Sequence, residues 1–266
     1  MLSYRRLVAA FRDLGLQERP VIAHASLKAF GPIRGGAEAL LGALLNTVGA
    51  LVMPTFTYKT MVTPPLGPPN NGMTYDPHPL VNRKAEFFFP DMPADPLMGV
   101  LAETLRRHPL AKRTHHPILS FAGIGAETAL EAQTLFDPLA PIRVLAEQGG
   151  WVLLLGVDHT VNTSIHYGEK LAGRRQFVRW ALTPGGIVEC PGFPGCSQGF
   201  QVLAEDLEES TRRIQVESAT VQAVPLGAVL KATIRRIQKD PLALLCSQED
   251  CERCNAIRAM PSEQRE

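Results

Sequence analysis

The 266-residue sequence predicts an α/β protein, a single-domain three-layer sandwich around a mixed, largely parallel sheet. Three observations carry that prediction. Short aliphatic runs of strand length alternate along the chain with stretches of helical periodicity, the arrangement that lays helices on both faces of a sheet. The composition is 45% hydrophobic and 20% charged, far from the polar, charge-rich corner where a chain cannot offset its ordering entropy. The length suits one large core spanning residues 1–266, and no repeat or low-complexity tract divides it.

Residues 1–15 interleave Arg and Asp with apolar side chains at i, i+3, i+4 spacing, which predicts an amphipathic helix and not a signal peptide. Residues 19–24 read as a short buried strand, 26–36 as a loop punctuated by Gly and Pro, and 37–48 as a helix. A second strand, 49–54, ends at a proline. Residues 57–95 are rich in Pro, Gly and Asn with weak periodicity, and so long a stretch inside a compact domain predicts a substrate loop or lid. Helical patterning returns at 99–107, strand patterning at 118–124 and helical patterning at 125–134. The run 151–157, Trp-Val-Leu-Leu-Leu-Gly-Val, is the clearest strand, and 163–171 reads as the helix that follows it. Strand and turn signals recur over 176–188, and 199–214 and 226–239 read as helices before a Cys-containing polar tail at 240–266.

With 27 Lys+Arg against 26 Asp+Glu the net charge is +1, which offers no basic excess for nucleic acid or an anionic membrane surface. The longest aliphatic run is far short of the roughly 20 residues that cross a bilayer. Five cysteines are an odd number in a chain with its own core, so reduced thiols or a metal site are expected over a secreted disulfide scaffold. A cytoplasmic location follows from the same reading.

Four stretches carry candidate chemistry. Residues 26–39 form a Gly-containing loop opening into a helix, whose free N–H groups near Gly35, Gly36 and Ala37 suit an anion. Turn-forming glycine is the plainer reading, because neither phosphate-loop pattern is present. Residues 104–116 hold four Lys/Arg, three His and no acid, either a solvated face or a phosphate clamp. In 151–169 a buried strand and a polar crossing lead into a helix on which His166 and Glu169, at i and i+3, share a face. A His held by a neighbouring acceptor suits general-base work near neutral pH, whereas an ordinary surface pair is the bland alternative. Finally, Cys190 and Cys196 in a Gly/Pro-rich knuckle, with Cys246, Cys251 and Cys254 downstream, supply the ligand types of a structural zinc site, buried thiols or a disulfide being the alternatives.

Taken together, these stretches reach a resemblance. Ala23-His-Ala-Ser-Leu followed by Gly31-x-x-x-Gly-Gly36, Val48-Gly-x-Leu-Val-Met-Pro-Thr-Phe-Thr57, Arg113-Thr-His-His-Pro-Ile-Leu-Ser-Phe-Ala122 and Asn162-Thr-Ser-Ile-His-Tyr-Gly-Glu169 resemble the aminoglycoside 3-N-acetyltransferase (antibiotic N-acetyltransferase) family, in order and spacing, over residues 5–240. The resemblance implies an acetyl-CoA-dependent N-acetyltransferase whose fold is distinct from the GNAT superfamily. The GNAT pattern [QR]-x-x-G-x-[GA] is indeed missing, since Ser120-Phe-Ala-Gly-Ile-Gly125 begins with Ser.

Carried over residue by residue, the resemblance implies that Ser26, Leu27, Gly35 and Gly36 cradle the pantetheine and pyrophosphate of acetyl-CoA. Arg113, Thr114, Ser120 and Phe121 would meet its nucleotide end. His166 would be the catalytic histidine and general base, and Thr163 would steady the oxyanion or the departing sulfur. Glu169 would orient either His166 or the substrate amine, and Asp158 in the crossing is a second candidate substrate contact. Two departures stand out: His-Ala-Ser where many relatives have two consecutive serines, and Gly168 where Ala is usual. Asp76, Glu86, Asp91 and Asp95 against Lys59, Arg83 and Lys84 give the 57–95 loop a slight acidic surplus for an amine substrate, aminoglycoside-like or other. A metal-dependent hydrolase with zinc on His166, and a CoA-binding protein without turnover, are the alternative functions. The oligomeric state is open, a homodimer included.

Overall fold

The computed structural model describes residues 1–260. Helix α1 (Tyr4–Asp13) begins where the Ser3 hydroxyl accepts from the Arg6 N–H, and it buries Leu7, Val8 and Phe11. Strand β1 (Pro20–Ala25), helix α2 (Gly36–Leu45), strand β2 (Ala50–Pro54) and the short β3 (Met61–Val62) follow. After the long 57–95 segment come α3 (Gly99–Arg107), β4 (Lys112–Arg113), β5 (Phe121–Ile124), α4 (Glu127–Glu131) and α5 (Ala140–Glu147). The second half comprises β6 (Trp151–Leu155), α6 (Thr163–Leu171), β7 (Phe177–Thr183), β8 (Gly186–Phe193), α7 (Leu203–Leu207), β9 (Arg212–Val216), β10 (Ala219–Pro225), α8 (Leu226–Lys239) and α9 (Glu252–Arg258).

Seven strands form one sheet in the order β4-β5-β2-β1-β6-β10-β9. Its centre is parallel, with β1 flanked by β2 and β6, and antiparallel strands extend both edges. The three layers follow from strand geometry, because successive side chains point to opposite faces. Val21, Ala23, Leu153 and Leu155 pack with α1, α2 and α3, whereas Ile22, Val152 and Leu154 pack with α5, α6 and α8. Covered on both faces, β1 and β6 are apolar over most of their length, His24 near the end of β1 being the polar exception. A separate antiparallel sheet, β3-β7-β8, lies beside the main one.

Several expectations need correcting. The helix expected over 199–214 stops at Leu207, and Arg212–Val216 pairs instead with Ala219–Pro225 as a hairpin on the sheet edge. Its acid-rich start does form a turn of helix, but the alternation Ile214, Val216 across from Val221, Ala219 has the period of a strand. Helix α5 lies in a stretch that carried no sequence prediction. The strand expected over 118–124 begins only at Phe121. The 57–95 segment is fastened in place: Phe88 N–H donates to Leu182 O (2.9 Å), and Arg179 donates to Asn71 O and Gly72 O (2.9 Å each). The described part of the tail folds back and forms α9, whose Ala256 and Ile257 join the core cluster that includes Phe177 and Phe193 of the second sheet.

Candidate active site

The carboxyl ends of parallel strands leave a crevice where connecting segments diverge, and that crevice is the usual ligand site of open α/β sheets. Here β1, β2 and β6 end at Ala25, Pro54 and Leu155, and a cavity of about 660 Å³ opens over them. Gly156 takes the left-handed conformation (φ 66°) at the exit of β6, where a side chain would collide with Ala29 of the turn after β1. The two strand exits can therefore close together on the cavity floor.

Helix α6 begins beside this floor because Asn162 caps it, its side-chain oxygen accepting from Ser164 N–H at 3.1 Å. Thr163 is the first helical residue and lines the cavity, as does His166 one turn later. His166 Nδ1 lies 2.8 Å from Glu169 Oε2, and the ring packs edge-on to Phe200 at 4.7 Å between centroids. Glu169 is only 1% exposed, and its other oxygen accepts from Arg174 Nη1 at 2.8 Å. Arg174 in turn donates through Nη2 to Pro241 O (2.8 Å) and Ala243 O (2.7 Å) in the tail. Both carboxylate oxygens of Glu169 are thus engaged behind His166, and the side chain does not reach the cavity wall. The carboxylate thus stands behind the His166 ring, bonded to it and to Arg174.

Ser26 and Leu27 line the cavity, with Lys28 beside them, and the Ser26 hydroxyl makes no cap to its own turn. The other residues expected at the cofactor lie elsewhere. Gly35 and Gly36 form the outer start of α2, away from the cavity lining. Arg113 donates to Pro90 O, Met92 O and Thr55 O, which clamps the end of the 57–95 segment to the sheet edge. Ser120 is fully buried and donates to Thr55 O at 2.8 Å, Thr114 Oγ1 accepts from Phe121 N–H at 2.9 Å, and the Phe121 ring sits in the core against Phe56. These four brace the edge pair β4-β5 and present nothing to a ligand in the cavity. Asp158 is likewise turned to its own chain, accepting from Thr160 N–H at 2.9 Å and from the Thr160 hydroxyl. The acids of the 57–95 segment also stay off the cavity: Glu86 pairs with Lys59, Asp76 caps His78 and Asp95 caps Leu97.

Three lining residues escaped sequence reasoning. His24, at the end of β1, is buried with Nε2 lacking a protein partner, and burial together with the nearby His159 pushes its pKa down to about 3. Tyr58 is pushed up to about 12, mainly by burial, so its phenol is a proton-bearing donor at neutral pH. Arg253 enters from α9 and donates through Nη1 to Gly195 O at 3.0 Å. No periodicity links these positions, which meet only through the fold.

The cysteines resolve into four and one. The sulfur atoms of Cys196, Cys246, Cys251 and Cys254 all lie within 4.8 Å of one another, whereas Cys190 stands apart with its thiol directed to Val188 O. Four thiolates around one zinc at Zn–S of about 2.3 Å sit just under 4 Å apart, so the cluster has the right ligand number and size.

Comparisons with known proteins agree with this geometry. The family described as aminoglycoside 3-N-acetyltransferase matches residues 22–238. Aminoglycoside N(3)-acetyltransferase III of Salmonella sp is 30% identical over 239 residues, covering 77% of this chain and 79% of the relative. The apoenzyme crystal structure of aminoglycoside acetyltransferase AAC(3)-IVa superposes with a TM-score of 0.78 at 26% identity, covering 97% of both chains. AAC-IIIb in a binary complex with CoASH shares the fold at 23% identity, with a TM-score of 0.72 over 89% of this chain and 96% of that one. A sheet with a parallel centre, a cavity at its strand ends and a family match that spans α6 converge on one conclusion: the chain is an acetyltransferase belonging to the aminoglycoside 3-N-acetyltransferase family.

Proposed function

We propose that the protein moves an acetyl group from acetyl-CoA to the amine of a small acceptor, aminoglycoside-like or other, with His166 as general base. The chain Arg174–Glu169–His166 carries this reading. A carboxylate at Nδ1 fixes the tautomer with the proton on Nδ1, which leaves the Nε2 lone pair as the basic site. Nε2 takes the proton from the attacking amine, and the imidazolium, steadied by Glu169, can return it to the departing sulfur. The Thr163 hydroxyl, at the cavity wall one turn earlier, is the candidate donor to the developing oxyanion. Ser26 and Leu27 are the residues that would hold the pantetheine arm, and Lys28 suits the phosphate-bearing end. The thioester supplies an activated acyl group, so the chain need provide only orientation, a base and a donor.

Replacing His166 by Ala should lower kcat by about 10²-fold or more, as loss of a general base does, while the far-UV circular dichroism stays the same. Unchanged acetyl transfer to every amine tested would overturn the reading. The hydrolase alternative draws no support, because the metal-ligand cluster among the described residues consists of cysteines and leaves out His166.

We also assign a structural zinc ion to Cys196, Cys246, Cys251 and Cys254, whose four buried or half-buried sulfurs match a closed tetrahedral site. Elemental analysis should find one zinc per chain, retained in Cys190→Ser and lost in Cys254→Ser. Metal-free protein with unreacted thiols would refute it. A reducing cytoplasm, which supplies acetyl-CoA, keeps such thiols available.

A further inference from the structure

The wall of the cavity carries a charge pattern that bears on the acceptor. Among the described residues that line it there is no aspartate or glutamate, while Lys28 and Arg253 both contribute cationic groups. The nearby acids are engaged elsewhere: Glu169 with His166 and Arg174, Asp158 with Thr160, and Asp95 with Leu97 N–H. A polycation entering this cavity would meet like charge without a compensating carboxylate.

Arg253 is built into place. It stands between Cys251 and Cys254 of the thiol cluster, and the chain passes so close that a side chain on Gly72 would meet the Arg253 Cα at 2.9 Å. Its Nη1 is held by Gly195 O, and the rest of the guanidinium fork, a geometry matched to carboxylate or phosphate oxygens, makes no hydrogen bond among the described residues. Lys28 lies next to Ser26 and Leu27 after β1, whereas Arg253 stands beside Gly195 on the tail side. The two cations thus reach the cavity from separate segments of the chain.

We propose that the acceptor is an amine that itself carries a carboxylate or a phosphate, and that Arg253 is the residue that selects it. The proposal rests on the acetyl-transfer reading above. The anion pairs with the guanidinium and holds the molecule so that its amine can reach His166, while a polyamine is rejected by the uncompensated charge.

The test is an acceptor series assayed by CoA release: an amino sugar, the same sugar bearing a phosphate, the same sugar bearing a carboxylate, and a tetra-amino disaccharide such as neamine. Wild-type kcat/KM should favour an anionic acceptor over neamine by about tenfold or more, and the two anionic arms identify which anion is preferred. Arg253→Glu should lower kcat/KM for that acceptor by about 10- to 100-fold, through KM, and raise it for neamine, with KM for acetyl-CoA unchanged. Arg253→Gln, which keeps a donor for Gly195 O, should fall between the two and guards against misfolding. Preference for neamine in the wild type, an unmoved ratio in Arg253→Glu, or a change confined to KM for acetyl-CoA would overturn the proposal. Release of CoA with no acceptor would instead sink the transfer reading. Calorimetric titration of the same four compounds would then decide the charge preference, with tighter binding of an anionic amine that Arg253→Glu weakens as the supporting result and any other order as the refuting one.

Discussion

His24 and His116 are buried, each with a ring nitrogen that finds no protein partner, and their neutrality has a cost that depends on pH. The His116 Nδ1 accepts from Ile118 N–H (3.1 Å) and Leu119 N–H (2.9 Å), bonds that protonation there would break. Burial pushes His116 down to about 4 and His24 to about 3, both below the value near 6.5 that a histidine keeps in the unfolded chain. Between those limits the unfolded chain binds protons that the folded one refuses. Stability is therefore fully present above pH 6.5 and declines as the pH falls, by about 1.4 kcal/mol per pH unit for each histidine. The urea midpoint should drop between pH 7 and pH 5, before most carboxylates titrate. His116→Asn, which can still accept those amide bonds, should flatten part of that slope, and a level wild-type profile over this range would contradict the assignment. At this scale the site was partly legible. His166 and Glu169 declare themselves by i, i+3 spacing on one helix, but Arg174 lies past the helix end and Arg253 in the tail, and tertiary contact alone brings them in.

Helix α6 is positioned by the helix it lies against. Gly168 faces Thr233 of α8 so closely that an added Cβ would sit 2.7 Å from the Thr233 Cβ. Thr233 is fully buried and donates to Val229 O at 2.8 Å, so it cannot swing away. The departure from Ala at position 168 thus has a packing reason: the extra volume sits on α8. Gly168→Ala should destabilise by about 1–3 kcal/mol, as overpacking does, and should lower kcat because α6 carries both His166 and Glu169. Adding Thr233→Ala restores the space, so the double variant should be more stable than the sum of the two single changes by over about 0.5 kcal/mol in denaturant titrations. Strict additivity would mean that the two helices do not press on each other there. Helices α3, α6 and α8 were legible to the residue because each carries a periodic apolar face, and α6 adds the Asn162 cap. The hairpin β9-β10 was not, since Leu203 and Leu207 with the acids around them continue a helical pattern up to the turn at Glu208–Ser210, and only sheet pairing reveals the change of period.

Across the whole molecule, residues 240–260 are joined to His166, the proposed base, through one continuous set of contacts. The thiol cluster takes Cys196 from the segment after β8 and three cysteines from the tail, so the zinc proposed there would tie the two together. From the tail, Pro241 O and Ala243 O hold Arg174, Arg174 holds Glu169, and Glu169 holds the His166 ring. The segment around Cys196 also forms cavity wall, with Phe193, Pro194, Gly195, Ser197 and Gln198 on it. Removing the metal leaves several thiols crowded together with no charge to organise them, and the tail loses its main attachment to β8. A chelator strong enough to strip zinc should therefore lower kcat as well as the melting temperature, and limited proteolysis should cut within residues 240–260 before it touches the central sheet. Zinc added back under reducing conditions should restore both. The loss of activity should appear although the cluster is made of cysteines and leaves out His166, because without the tail carbonyls Arg174 becomes a buried cation with two of its three hydrogen bonds gone, and the carboxylate beside His166 is free to turn. Chelation that strips zinc and leaves kcat, melting temperature and the cleavage pattern all unchanged would show that tail and histidine are not coupled.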